Sequence, residues 1–318
     1  MKKIIFLASA IALFFGCTNE ENVTQSSNDM KIVTAQADAI VVGSLDNTSF
    51  RDYVVPAEAN AVYWKAGDEI ALVQDDGGVF QGSGNHHPYT YDSSKGLQEQ
   101  VCQGHFTRNM QEDHEPGTVT GGTYIVVYPY NSYAQDEYKL VGGKLHFDFP
   151  AQTQLSNGSL DNFGPTDFMY SSLFNGLQKE YNTDITETKG SANFQLQHAM
   201  TWIKLTVNGL NTGEIISYIT ITATDPIFFG AIELAPNLTT TFVNPKDVIS
   251  LNTSHYTMLD TDKGTYSCWI TINKLAAGAT FTINVITDQG SWPFKKTASA
   301  TGLVQGTAYL TTLTLPSH

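Results

Sequence analysis

ANFQLQHAMTWIKLTVNGL, residues 192–210, reads as two strands in succession. Phe194, Leu196 and His198 alternate on one face, and Ile203, Leu205 and Val207 alternate on the other side of a break. Successive side chains of a strand point to opposite sides, so a period of two marks a strand with one buried face. The same reading extends outward. ISYITITA, FFGAIELA, TYSCWITI, TFTINVIT and TAYLTTLTL follow at fairly regular spacing, with Gly, Pro, Asn and Asp between them. Many short strands separated by turn signals predict a sandwich or barrel.

Upstream, KLHFDFPAQTQL carries Leu145, Phe147 and Phe149 on one face. KIVTAQADAIVV predicts a first strand over residues 31–42. AVYWKAGDEIALV predicts a strand, a turn at Ala66-Gly67-Asp68 and another strand. HFTRNM and GTYIVVYPY are further strands, and the Gly- and His-containing segment 74–96 is expected to form surface connections. SLDNFGPTDFMYSS is turn-rich and ends in a short apolar strip. Residues 175–190 are polar and supply few core candidates, so the domain boundary is placed there. The expected fold class is all-β, as two β-sandwich domains over residues 31–180 and 181–318. No repeat of 20 to 50 residues interrupts this reading.

The N-terminus differs in kind. Met1-Lys2-Lys3 precedes an apolar run from Ile4 to Phe15. A membrane-spanning helix needs about 20 apolar residues, so the run reads as a secretory signal peptide over residues 1–16. Gly16-Cys17 resembles the end of a bacterial lipobox, which implies cleavage before Cys17 and lipidation of its thiol. Phe14 and Phe15 stand where that pattern has Leu and a small residue. Each acyl methylene in a membrane contributes about 0.8 kcal/mol, and several chains anchor stably. Residues 17–30 read as a flexible tether. Glu20-Glu21 fits either an acidic signal for export to the cell exterior or a solvated linker.

Net charge is −14, and −16 once Lys2 and Lys3 are removed. Such an acidic surface argues against nucleic acid and against docking to anionic lipid. With Cys17 lipidated, Cys102 and Cys268 remain. Two separate buried thiols are expected rather than a disulfide, since Cys268 lies in a strand-like run.

Chemistry-bearing constellations are sparse. GxSxG, HExxH, Walker and CxxC patterns are absent from the sequence. His86 and His87 are adjacent and would converge only in a loop. Glu112, Asp113, His114 and Glu115 read as a solvated acidic loop. Asp260, Asp262 and Gly264 start like a calcium loop but lack its third oxygen ligand and its distant Glu. DDGGVFQGSGN does not open a helix and is no phosphate cradle. No metal, cofactor or enzymatic activity is expected. His198 reads as a satisfied core histidine. Trp202 and Trp269 fall in strand patterns, whereas Trp292, in DQGSWPF, falls in a turn-like segment and is the candidate glycan contact.

WKAGDEIAL (Trp64, Gly67, Asp68, Ile70), DFPAQTQ (Phe149, Pro150, Ala151, Gln152, Thr153), DFMYS, FQLQHAMTWIKLTV and a last apolar strand after LVQGTAYL occur in this order. Together they resemble the fimbrillin-like family of Bacteroidota surface lipoproteins. The resemblance implies two transthyretin-like β-sandwich domains after a lipoprotein signal peptide. It implies display at the outer membrane and assembly into fimbriae. It further implies that a protease cutting after arginine would remove the lipidated segment and first strand, and that another subunit would fill the groove by β-strand addition. Arg51-Asp52, 13 residues before Trp64, stands where that cut would fall. Arg108 lies in a strand-like region and is a poor candidate. In this pattern Trp64 is a core aromatic, Gly67 permits a tight turn, Asp68 bonds its own turn backbone, and Pro150 ends a strand. The implied partners are other fimbrial subunits, the outer membrane through the lipid, and surface glycans or proteins. A surface lipoprotein that captures glycans is the alternative function.

Overall fold

The computed structural model describes residues 32–37, 41–44, 68–81, 86–91, 103–108, 122–130, 138–159, 163–177 and 192–317. The chain is all-β: the described residues form twenty-one strands, one helix of four residues (Phe163–Thr166, α1) and a 3-10 turn at Asp260–Asp262. Four sheets result.

Sheet I runs in the order Met169–Ser171 (β10), Ala192–His198 (β12), Ile32–Ala37 (β1), Gln103–Arg108 (β5), His86–Tyr91 (β4), Glu69–Asp75 (β3), Gly122–Tyr128 (β6) and Phe174–Leu177 (β11). β10 also pairs with β6, through Met169 with Tyr128 and Tyr170 with Val127, so the sheet closes on itself. Sheet II has the order Thr265–Ile272 (β18), Thr201–Asn208 (β13), Thr307–Thr314 (β21) and Val41–Ser44 (β2). Sheet III has the order Gly290–Thr297 (β20), Thr280–Thr287 (β19), Ile215–Thr222 (β14), Val248–Thr257 (β17) and Gln152–Thr153 (β9). Sheet IV has the order Thr240–Lys246 (β16), Phe228–Leu234 (β15), Lys144–Asp148 (β8) and Tyr138–Val141 (β7).

The break in ANFQLQHAMTWIKLTVNGL is a change of sheet. β12 buries Phe194, Leu196 and His198 while Gln195 and Gln197 face water. Ala199 and Met200 follow, and β13 then buries Ile203, Leu205 and Val207. The inward face passes from even to odd positions, and the chain passes from sheet I to sheet II. Trp202, at the start of β13, is fully buried.

Among the described residues, two apolar clusters join one sheet to another. Ile203, Leu205 and Val207 of β13, with Cys268 and Ile270 of β18, meet Ile219 and Ile221 of β14 and Ile283 and Val285 of β19. Sheets II and III thus form a sandwich. Ala71 and Val73 of β3 and Ile125 and Val127 of β6 pack with Leu145 and Phe147 of β8 and Ile232 and Leu234 of β15. Sheet IV therefore covers sheet I. β8 buries alternate residues as expected, and Phe149 packs on this second core with its ring 5.9 Å from that of Phe147.

Strands from either side of residue 180 share sheets. β12 lies in sheet I, β8 pairs with β15, and β9 pairs with β17. The single strand expected over 31–42 is two strands, β1 in sheet I and β2 in sheet II. Partial alternation shows that a run is extended but not which partners bond its backbone. His86 and His87 lie within β4 and not in a surface connection.

Candidate functional site

The chemistry that this fold offers lies at the edges of its sheets. An edge strand presents a row of unpaired N–H and C=O groups that another chain can pair with. What covers each edge therefore decides what the molecule can bind.

β1 is bonded along both sides. It runs parallel to β12, with Val33 opposite Ala192 and Ala37 opposite Leu196. It runs antiparallel to β5, with Ile32 opposite Thr107 and Gln36 opposite Gln103. β2 runs parallel to β21, with Val41 opposite Thr307 and Ser44 opposite Leu310. Both strands precede Arg51 in the chain. The strands beneath them, ANFQLQH, QGHFTR and TAYLTTLT, contain no proline. Among them Arg108 is the one Lys, Arg, Asp or Glu.

Other edges carry guards. β20 bears exposed Pro293 and Lys295, and β16 bears exposed Pro245 and Lys246. Proline removes a donor and lysine resists burial, so both discourage an added strand. β16 is also interrupted at Asn244, whose φ is 57°, between the Pro245–Phe229 and Val243–Ala231 pairs.

The outer edge of β18 is covered in another way. The backbone of β9 adds to sheet III, with Gln152 opposite Leu251 and Thr153 opposite Asn252. The side chains of the same segment add to sheet II. Gln152 Nε2 donates to the Thr271 carbonyl at 2.7 Å, and Thr271 N donates back to Gln152 Oε1 at 2.8 Å. Gln154 Nε2 donates to the Ser267 carbonyl at 2.7 Å, and Trp269 N donates to Gln154 Oε1 at 3.2 Å. Asn157 Nδ2 donates to the Thr265 carbonyl at 2.9 Å, and Ser267 N donates to Asn157 Oδ1 at 2.7 Å. Gln152 and Gln154 share one side of an extended segment because they are two residues apart. Each side-chain amide carries the donor and acceptor of a peptide group, so three amides reproduce the bonding of a strand. Gln154 is fully buried. Sequence reasoning placed FPAQTQ in the framework but missed this pairing; the Gln-x-Gln spacing beside a strand end is the signal that could have found it.

Asp262 secures the end of that segment. It accepts from Leu259 N at 2.7 Å, Asn157 Nδ2 at 3.0 Å and Tyr256 Oη at 3.0 Å. The Leu259 backbone bond, then the Asn157 amide, hold its carboxyl below the usual carboxylate range. Asp260 accepts from Thr212 Oγ1 at 2.8 Å. The DTDKG segment is thus a hydrogen-bonded 3-10 turn. Among the described residues no group of three or more His, Cys, Asp or Glu side chains is placed to hold a metal ion.

His198 is the core histidine expected. Its Nδ1 lies 3.0 Å from Asp167 Oδ1 and 2.9 Å from Asp167 Oδ2, with both side chains 1% exposed. Its ring meets Trp202 edge to face at 5.0 Å. Asp167 was not singled out from sequence, because the two residues lie 31 positions apart. Burial pushes its carboxyl up, and His198 pulls the other way.

The tryptophans divide differently from expectation. Trp202 is core, and Trp269 is half-buried against the second core with Lys204 Nζ 5.3 Å above its ring. Trp292 lies in β20 and not in a turn, half-buried against the sandwich core. Cys268 is a buried free thiol, and burial pushes its ionisation up. A cleft of about 570 Å³ opens between sheets III and IV; its lining includes Phe149, Met200, Phe229, Lys246 and Ile249. Among the described residues that lining offers one ammonium and no carboxylate or imidazole. Asp68 receives the Tyr128 hydroxyl at 3.4 Å. Gly16, Cys17, Arg51, Asp52, Trp64, Gly67, Cys102 and residues 112–115 lie outside the described residues.

No protein-family model matches the chain, and no curated protein matches it. Several solved structures are similar to it. One is a Bacteroides uniformis protein proposed to act in cell adhesion, with 17% identity over 87% of this chain and 91% of that chain and a TM-score of 0.49. A fimbrial protein from Bacteroides ovatus has 15% identity over 92% of this chain and 51% of that chain, with a TM-score of 0.41. The fimbrial anchor protein Mfa2 from Porphyromonas gingivalis has 12% identity over 80% of this chain and 77% of that chain, with a TM-score of 0.30. Two of these three are fimbrial proteins, and the third is proposed to act in cell adhesion.

Proposed function

We propose that the chain is a surface lipoprotein of the fimbrillin type, a fimbrium subunit or adhesin that accepts a strand from a neighbour. The observation that carries this reading is the seating of the N-terminal strands. β1 fills a slot between β12 and β5, and β2 covers the edge of β21. A cut after Arg51 would release both together, because both precede it. The slot and edge left behind would expose backbone groups on β12, β5 and β21. An extended segment from another subunit would pair with them by main-chain hydrogen bonds, with alternate side chains setting specificity. The proline- and lysine-bearing edges of β20 and β16 support the same reading, since they steer pairing away from those strands.

In this reading Cys17 carries the lipid and the body stands at the outer membrane surface. The protein acts through assembly and contact and not as an enzyme. Glycan capture through Trp292 has less support, because β20 packs that ring against the core.

Mass spectrometry of the surface protein tests the proposal. A mature N-terminus at Asp52 in isolated polymers is the expected result. An acylated Cys17 retained in polymers would instead assign an anchor role. Absence of the protein from every polymer fraction would sink the subunit reading.

A further inference from the structure

We propose that the cleft between sheets III and IV binds a small apolar carboxylate that carries a hydroxyl, with its acid group at Lys246 and its apolar body against Met200 and Ile272. The inference does not depend on cleavage at Arg51 or on the fimbrial reading.

The cleft forms where the chain leaves one sheet for the other. β8 ends at Asp148, and Phe149 N still donates to the Gly230 carbonyl in sheet IV, at 2.9 Å. Pro150 has no N–H to continue that ladder. By Gln152 the chain pairs in sheet III instead, opposite Leu251. Val248, Ile249 and Ser250 of β17 precede this first pair and line the cleft together with Phe149, Pro150 and Ala151. The space measures about 570 Å³, within the range of roughly 300–1,000 Å³ common for small-molecule sites. It grades from wet to dry. Ala151, Lys246 and Val248 are exposed, Phe149 and Phe229 are half-buried, and Met200 and Ile272 are each 1% exposed. An apolar inner wall of this kind favours an apolar body.

Two polar groups set the rest of the ligand. A Cβ at Gly230 would stand 2.7 Å from Lys246 Cε and 3.0 Å from its Nζ, so the bare glycine is what lets the ammonium lie against the cleft wall. Lys139 and Lys144 are paired with Asp148 and Glu233, whereas among the described residues Lys246 forms no ion pair. No carboxylate of the described lining competes for it. An anionic head would gain a charge-assisted hydrogen bond there. Asn273 lines the same cleft and is 1% exposed. Its Nδ2 donates to the Ile227 carbonyl at 3.1 Å and the Lys274 carbonyl at 2.6 Å, and its Oδ1 has no hydrogen-bond partner among the described residues. A buried acceptor left unfilled is costly, so a hydroxyl donor on the ligand would be favoured.

Isothermal titration calorimetry of the full chain tests the site, with ω-hydroxydecanoate as the probe. Saturable one-to-one binding is expected. Decanoate, which lacks the hydroxyl, and decanediol, which lacks the charge, should each bind more weakly. Lys246→Met should weaken ω-hydroxydecanoate by about tenfold and leave decanediol unchanged. Ala151→Trp, which fills the mouth, should abolish binding of all three. Both positions are exposed, and circular dichroism checks that each variant keeps its fold. No saturable binding, or binding that neither substitution alters, overturns the site. Equal affinities for decanediol and ω-hydroxydecanoate overturn the part given to Lys246, and equal affinities for decanoate and ω-hydroxydecanoate overturn the part given to Asn273.

Discussion

His198 Nδ1 lies 3.0 Å from Asp167 Oδ1, with both side chains shut away from solvent. The pair ties the end of β12 to the residues before β10, where Met169 stands opposite His198. β12 is one wall of the slot that holds β1. Removing one partner of a buried pair leaves the other uncompensated, at about 3–5 kcal/mol. Asp167→Ala or His198→Ala should each lower stability to urea by that order. The double variant Asp167→Ala with His198→Ala should cost less than the sum of the two single changes, as a double-mutant cycle would show.

Asp262 makes a pH prediction. Its folded ionisation lies below the usual carboxylate range, through the bond from Leu259 N and then that from Asn157. A depressed folded value means the ionised form favours the folded state. The contribution is fully present above the ordinary carboxylate value of about 4 and is lost as pH falls through the lower folded value. Stability should therefore fall on the acid side, and Asp262→Asn should flatten that limb. Urea midpoints measured across acidic pH check it; parallel curves for both proteins would count against it.

Gly302 is held at a φ of 78°, in the turn where Gly302 N meets Ser299 O at 2.9 Å. A Cβ there would collide with the Leu275 carbonyl oxygen. Left-handed backbone costs a non-glycine residue about 1–3 kcal/mol before any collision. Gly302→Ala should lose at least that much in thermal or urea unfolding.

Cys268 is fully buried, and burial pushes its thiol ionisation up. The reactive species is the thiolate. A thiol reagent such as DTNB should leave Cys268 untouched in the native protein and modify it on unfolding in guanidinium. Fast native labelling at this position would contradict its place in the core.

A chain beginning at Asp52 should bind a synthetic peptide of residues 31–44. β1 bonds to both β12 and β5, so a Thr34→Pro peptide loses a ladder donor and should bind at least about tenfold more weakly. Fluorescence polarisation measures both. Equal affinities would argue against pairing in the slot.

Much of the fold was legible as a pattern. Period two in Leu145 and Phe147, and the shift from Phe194, Leu196 and His198 to Ile203, Leu205 and Val207, identified strands and their buried faces. Those readings are local, because the alternation of a strand is a property of neighbouring residues. The candidate site was less legible. Asp167 and His198 meet only because β10 and β12 are adjacent, and Gln154 reaches Ser267 across 113 positions.

By itself the sequence determined that this chain is all-β, that its first residues resemble a lipoprotein signal, and which side chains of its clearest alternating strands face inward. Tertiary structure alone decided that residues 32–44 split between two sheets, that β8 and β9 join strands from the far half of the chain, and that side-chain amides close β18. The physical reason is the same in each case. Alternation records which side of a strand is apolar, whereas backbone hydrogen bonds look alike for every residue and carry no mark of their partner.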